Sequence, residues 1–231
     1  MRVGVLVSGS GSNLQALLDA DLGPARVVVV LSNVPGVKAL DRAASAGVPT
    51  VVLPHQDHAS REHFDRAMVG ALRDANVELV VLAGFMRLVT PVFLNAFPDR
   101  VINIHPALLP AFPGVQAQKQ AFEAKVRITG CTVHLVDAGM DTGPILAQAA
   151  VPVLDDDRLI DLQRRILATE HALLPRVVRA IATGRLRPAS HRLRLAEMRA
   201  NETISPPRLV SPNDLDQTTD PAASSDLEKT D

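Results

Sequence analysis

The apolar run Val3 to Val7, broken only by Gly4, passes through Ser8-Gly9-Ser10-Gly11-Ser12-Asn13 directly into Leu14, Leu17 and Leu18 at helical spacing. A strand that turns on glycines into a helix leaves few folds open. The helix must pack back over the strand, and the next parallel strand is reached by a right-handed crossover. The pattern recurs: Val27 to Leu31 and Leu79 to Leu82 read as buried strands, while Asn13 to Ala20, Val37 to Ala46 and Arg61 to Ala75 carry helical spacing. The first half therefore reads as an α/β, Rossmann-like mononucleotide-binding unit with parallel strands and helices on both faces.

The second half changes character. Val101 to Ile104, Arg127 to Val136 and Ile145 to Val153 read as strands separated mainly by Pro- and Gly-bearing loops, followed by a long helix from about Arg158 to Ala182. A mixed sheet is expected there. After Gly184 the chain is arginine-rich, and from about Asn201 it is rich in Ser, Thr, Pro and Asp with almost no large apolar residues. Such a composition cannot offset its ordering entropy, so 201–231 is expected to be a disordered polar tail. With 231 residues and 47% hydrophobic content, a single domain over 1–200 is expected. Its phosphate-binding half covers about 1–100 and its catalytic half about 101–200.

The balance of 24 basic and 25 acidic residues gives no global field for nucleic acid or an anionic membrane, so phosphate recognition must be local. Cys131 is the only cysteine, which excludes an intramolecular disulfide and suits a reducing compartment. The N-terminus is too short in apolar residues for a signal peptide, and no segment approaches a bilayer span, so a soluble cytoplasmic protein is expected.

At Ser8 to Asn13, backbone N–H groups at a helix start, aided by the helix dipole, make an anion site. Glycines allow close approach, Ser12 is a plausible N-cap, and Asn13 adds an amide donor. The plainer alternative is a capped tight turn. A dinucleotide fold is disfavoured, because Leu14 stands where a third glycine would be and Ser32-Asn33 stands where a ribose-binding carboxylate would follow the second strand. NAD is therefore not expected, and a mononucleotide phosphate is.

In Val101-Ile102-Asn103-Ile104-His105-Pro106, strand alternation points Asn103 and His105 to one face and Ile102 and Ile104 to the other. Pro106 ends the pairing where α/β sheets place ligand chemistry. The competing reading is a core histidine hydrogen-bonded to Asn103. Asp141 lies in a glycine-rich connection where Asp is usually a turn residue, and spacing alone does not bring it to His105. His55, His58 and His63 straddle a loop and a helix start without a carboxylate of known metal-site spacing, so no metal is assigned. The arginines from Arg185 to Arg199 lack interleaved aromatics and read as a solvated face.

Taken together, Ser8 to Ala16, Leu82-Ala83-Gly84-Phe85-Met86-Arg87, Asn103-Ile104-His105-Pro106 with Leu108-Leu109-Pro110, and Asp141-Thr142-Gly143-Pro144 closely resemble the phosphoribosylglycinamide formyltransferase family. The resemblance runs from Met1 to about Leu186, with the motifs in the family's order. It implies transfer of a formyl group from 10-formyltetrahydrofolate to a glycinamide ribonucleotide amine in purine synthesis, without metal or redox cofactor. It further implies that Asn103, His105 and Asp141 are catalytic and that Gly11, Ser12 and Asn13 bind the substrate phosphate. Glu170 matches the acid that holds the ribose hydroxyls. Arg61, Met86, Arg87, Leu88 and Val89 match the folate-contacting segments, joined by Asn103. The partners expected are small molecules, not nucleic acid or membrane, with a monomeric or homodimeric protein.

Departures from that family pattern are Gln116 and Gln118, where some members carry histidines, and Leu167, where some offer a phosphate contact. Arg164 or Arg165 are candidate replacements for the last. A methionyl-tRNA formyltransferase would add a nucleic-acid-binding barrel, for which 187–231 is too short and too polar. A non-catalytic nucleotide-binding module would need the phosphate loop alone.

Overall fold

A computed structural model describes residues 1–188. The arginine-rich stretch past Pro188 and the expected tail at 201–231 lie outside the described residues.

The elements are β1 (Arg2–Val7), α1 (Ser12–Asp19), β2 (Arg26–Ser32), α2 (Lys38–Ser45), β3 (Thr50–Val52), α3 (Arg61–Asp74), β4 (Leu79–Leu82), α4 (Pro91–Ala96), β5 (Val101–His105), α5 (Ala117–Glu123), β6 (Ile128–Leu135), β7 (Ile145–Pro152) and α6 (Leu159–Ala182). They build one seven-stranded sheet in the order β3-β2-β1-β4-β5-β6-β7. The pairs from β3 to β5 are parallel, and β5–β6 and β6–β7 are antiparallel. The parallel first half and mixed second half thus match the expectation from the sequence.

Strand alternation distributes each strand over two cores. Val3, Val5 and Val7 join Leu79, Val81, Ile102 and Ile104 under α1 and α6. Leu6, Val80, Leu82 and Val101 instead meet Phe64, Met68 and Leu72 of α3 and Phe93 of α4. The central strand β4 is covered on both faces, which is why its four residues are all apolar and buried.

The order reverses between β1 and β4, which lie side by side with chain connections leading to opposite sheet edges. Crevices at such a reversal, beyond the carboxyl ends of the strands, are where open α/β sheets bind ligands. The loops leaving β1, β4 and β5 all open there.

Three elements carry no clear signal in the sequence. β3 has three residues, α4 six and α5 seven, too few for periodicity to register. One capping expectation is corrected. The N-cap of α1 is Gly11 in the left-handed conformation, with no side-chain cap bond, and Ser12 is already helical. A side chain on Gly11 would be strained by its φ of 69° and would place Cβ 2.6 Å from that of Ala39, so α2 closes directly on the turn. Among the described residues no helix is long and apolar enough to cross a membrane.

Candidate active site

β5 carries its polar pair to the carboxyl edge of the sheet, and antiparallel pairing sets Asn103 opposite His134 and His105 opposite Thr132. The Nδ1 of His134 meets the Leu135 carbonyl oxygen at 2.8 Å, which assigns a proton to that nitrogen. Its Nε2 lies 3.1 Å from the Asn103 amide nitrogen. An amide nitrogen bears two hydrogens, so Asn103 keeps a second donor for the cleft.

His105 is buried, yet its ring is not bonded to Asn103 as the competing core reading required. Its Nε2 donates to the Phe112 carbonyl oxygen at 2.8 Å, and its Nδ1 lies 3.3 Å from Oδ2 of Asp141. Asp141 sits in the connection from β6 to β7 with φ of 56°. Its Oδ2 accepts the Gly114 N–H at 2.8 Å, and its Oδ1 lies 3.5 Å from Nε2 of His134. Burial pushes this carboxyl up, but the contacts with His134, the Gly114 N–H and the nearby His105 ring outweigh it and hold Asp141 below its ordinary value. The anionic form therefore prevails at neutral pH.

The sequence singled out Asn103, His105 and Asp141 and missed His134. The available signal was its alternation with Thr132 along β6, which turns both polar side chains to the same face as Asn103 and His105.

These groups form one wall of a cleft of about 500 Å³, whose other walls include Met86, Arg87, Leu88, Val89, Val115 and Met140. Met86 is 71% and Val115 75% exposed. Large apolar side chains left so open around a polar floor suit a flat, partly apolar ligand. Arg61 does not line the cleft. Its guanidinium donates to the Leu88 carbonyl oxygen at 2.9 Å and so holds the 86–89 segment from behind. The Arg87 guanidinium lies 5.8 Å from the Phe64 ring centroid, within range of a cation–π contact.

At the neighbouring end of β1, Asn13 in the first turn of α1 donates through Nδ2 to Oε2 of Glu170 at 2.8 Å, across 157 positions of sequence. Burial pushes the Glu170 carboxyl up to about 7 against that bond. The two loops are tied together by Ser8. Its Oγ accepts the Met86 N–H at 2.8 Å and donates to Oδ1 of Asn33 at 2.6 Å, so the Ser32-Asn33 pair serves as scaffold.

The arginines considered as substitutes at the phosphate loop are engaged elsewhere. Arg165 binds Asp157 at 2.6 Å and the Pro152 carbonyl oxygen, and Arg164 reaches Asp161 at 3.8 Å. The guanidinium at the loop belongs to Arg42. His55 contacts Asn33, and His55 and His58 stand edge-on to Phe64. Among the described residues no group of His, Cys, Asp and Glu is arranged to hold a metal ion.

Residues 1–178 match the family described as formyl transferase. The chain is 50% identical over 188 residues to a phosphoribosylglycinamide formyltransferase of Mycobacterium tuberculosis, covering 79% of this chain and 85% of that protein. It is also 50% identical over 188 residues to the trifunctional purine biosynthetic protein adenosine-3 of Drosophila melanogaster, of whose length it spans only 14%. Among solved structures, it resembles glycinamide ribonucleotide transformylase 1 from Symbiobacterium toebii with a TM-score of 0.82 and 50% identity, over 85% of this chain and 94% of that one.

Proposed function

The chain belongs to the formyl transferase family, and from that premise we propose that it moves the formyl group of 10-formyltetrahydrofolate to the amine of 5-phosphoribosylglycinamide. The observation that carries the reading is the convergence of Asn103, His105 and Asp141 on one cleft floor, with His105 Nδ1 3.3 Å from Asp141 Oδ2. The Gly11-to-Asn13 turn at the same sheet edge supports the phosphorylated acceptor, and the relatives' names agree with it.

The chemistry follows from the groups present. The amine lone pair forms a bond to the formyl carbon, the carbonyl electrons move to oxygen, and collapse of the adduct breaks the bond to the folate nitrogen. That nitrogen takes up a proton and the new amide loses one, so charge balances. Asn103, with its spare N–H, donates to the developing oxyanion. His105 supplies a second donor once its Nε2–H leaves the Phe112 carbonyl oxygen for the adduct. The spare N–H of Asn103 needs no such release, and a donor fixed in advance costs no reorganisation as the charge appears. Asp141, held ionised, fixes the His105 ring and can order a water that carries the proton between nitrogens.

In this reading Gly11, Ser12 and Asn13 bind the phosphate and Glu170 accepts from the ribose hydroxyls. Met86, Arg87, Leu88 and Val89 enclose the folate, with Arg61 behind them. The N-terminal half, about 1–100, holds the phosphate, and the half at about 101–200 holds the chemistry. A cytoplasmic small-molecule enzyme is part of the same reading.

The test is incubation of the protein with glycinamide ribonucleotide and 10-formyltetrahydrofolate while folate absorbance is followed. Formylated product supports the assignment. Product with initiator methionyl-tRNA but not with glycinamide ribonucleotide would move it to a relative. Loss of both activities would leave a non-catalytic binding module.

A further inference from the structure

The loop Ser8 to Asn13 contains no Lys or Arg, although the ligand proposed for it is a phosphate dianion. Arg42, on the second turn of α2, reaches back to it. Its Nε donates to the Ser10 carbonyl oxygen at 2.9 Å and its Nη1 donates to Oε1 of Gln15 at 2.9 Å. One turn earlier, the Ala39 N–H donates to the Gly9 carbonyl oxygen at 3.2 Å. Two successive carbonyls of the loop thus point at α2.

In a trans peptide the N–H is directed opposite to the C=O. The carbonyl of Ser10 shares its peptide unit with the N–H of Gly11, a group at the opening of the anion site. A cation bonded to that oxygen both fixes the orientation of the unit and polarises it, because hydrogen bonds with an ionised donor are stronger and neighbouring bonds reinforce one another. The Cδ of Arg42 also lies 3.5 Å from where a Gly11 Cβ would stand, so the side chain lies along the back of the turn.

The groove in front of Arg42 is lined by Ser12, Gln15, Ala16, Asp19 and His171. Burial and the Arg42 charge both push His171 down, which leaves Arg42 as the permanent cation of this groove among the described residues.

We propose that Arg42 is the positioning residue of the phosphate subsite, acting through the Ser10–Gly11 peptide to aim its N–H and supplying the positive charge that the loop itself lacks. The inference rests on the reading of Ser8 to Asn13 as the phosphate loop. It assigns Arg42 no contact with the reacting atoms.

Steady-state kinetics of R42Q and R42K, with titration calorimetry of ribose 5-phosphate, tests it. Loss of a charge-assisted bond should raise the KM of R42Q for glycinamide ribonucleotide roughly tenfold or more, with kcat changed by less than about threefold. The KM for 10-formyltetrahydrofolate should stay as in the wild type, and ribose 5-phosphate should bind correspondingly more weakly. R42K, which keeps the charge but not the fork geometry, should fall between. The unphosphorylated glycinamide riboside should lose far less kcat/KM than the ribonucleotide.

Equal losses for riboside and ribonucleotide, or unchanged ribose 5-phosphate binding in R42Q, would overturn the role. R42K provides the same comparison if R42Q does not fold. A wild-type protein that binds ribose 5-phosphate but turns over no glycinamide ribonucleotide would refute the activity and leave the Arg42 comparison intact. A wild type that does not bind ribose 5-phosphate would remove both.

Discussion

Replacing Glu170 by Gln isolates the free energy of keeping a carboxylate inside the fold. Glu170 is 5% exposed, and burial moves its carboxyl from 4.5 up to about 7 against the opposing bond from Asn13. At about 1.4 kcal/mol per pH unit, ionising it in the folded chain costs about 3 kcal/mol more than in the unfolded chain. Below pH 4.5 the group is protonated in both states and the term vanishes. As pH rises towards about 7 the unfolded chain releases its proton first, so stability falls, and above that the full cost is present. The amide introduced by E170Q keeps an oxygen to accept from Asn13 but does not titrate. Urea unfolding of wild type and E170Q between about pH 4.5 and about pH 8 should show E170Q gaining about 3 kcal/mol relative to wild type over that range. The neighbouring His171 is common to both proteins and cancels in the comparison, and the Cys131 thiol, with an ordinary value of 9.0 and pushed up further in the fold, stays largely protonated over this range. Stability curves that run parallel across this range would refute the assignment of a buried, upward-shifted carboxyl. The same substitution should weaken substrate binding, because an amide oxygen accepts from ribose hydroxyls less strongly than a carboxylate.

D141N and H105A should each lower kcat by roughly a hundredfold, corresponding to about 3 kcal/mol of transition-state stabilisation, with circular dichroism unchanged. Turnover near wild type in either variant would remove that residue from the catalytic role. G11A should lower the melting temperature by several degrees, since a side chain in the left-handed region costs about 1–2 kcal/mol and here also meets Ala39. It should also raise KM for the ribonucleotide while sparing that for the folate. Burial, with nearby Glu170, pushes the Cys131 thiol up to about 12. The native protein should therefore resist an aromatic disulfide reagent at about pH 8 and react only on addition of urea.

The elements visible in the sequence are those with a compact apolar run or enough turns to show a helical period. β1, β2 and β4 appear in it almost to the residue as apolar runs and α3 by its 3.6-residue period, because both are local properties of the chain. The same locality put Asn103 and His105 on one face, and the structure agrees by sending Ile102 and Ile104 into the core under α1 and α6. Short elements such as α5 and β3 left no pattern to read.

Contacts between distant segments were beyond that reach. The family resemblance pointed to Asp141 and Glu170, but their distances come from packing. β6 must run antiparallel to β5 for His134 to face Asn103, and the β6–β7 connection must fold over Gly114 for Asp141 to reach His105. Glu170 meets Asn13 only because α6 lies against α1, and Arg42 meets Ser10 only because α2 closes on Gly11. Periodicity is set by each residue's own backbone and neighbours, and it determined which side chains share a face. Which faces meet depends on how two buried cores and a strand register are satisfied at once, and that was decided by the tertiary structure.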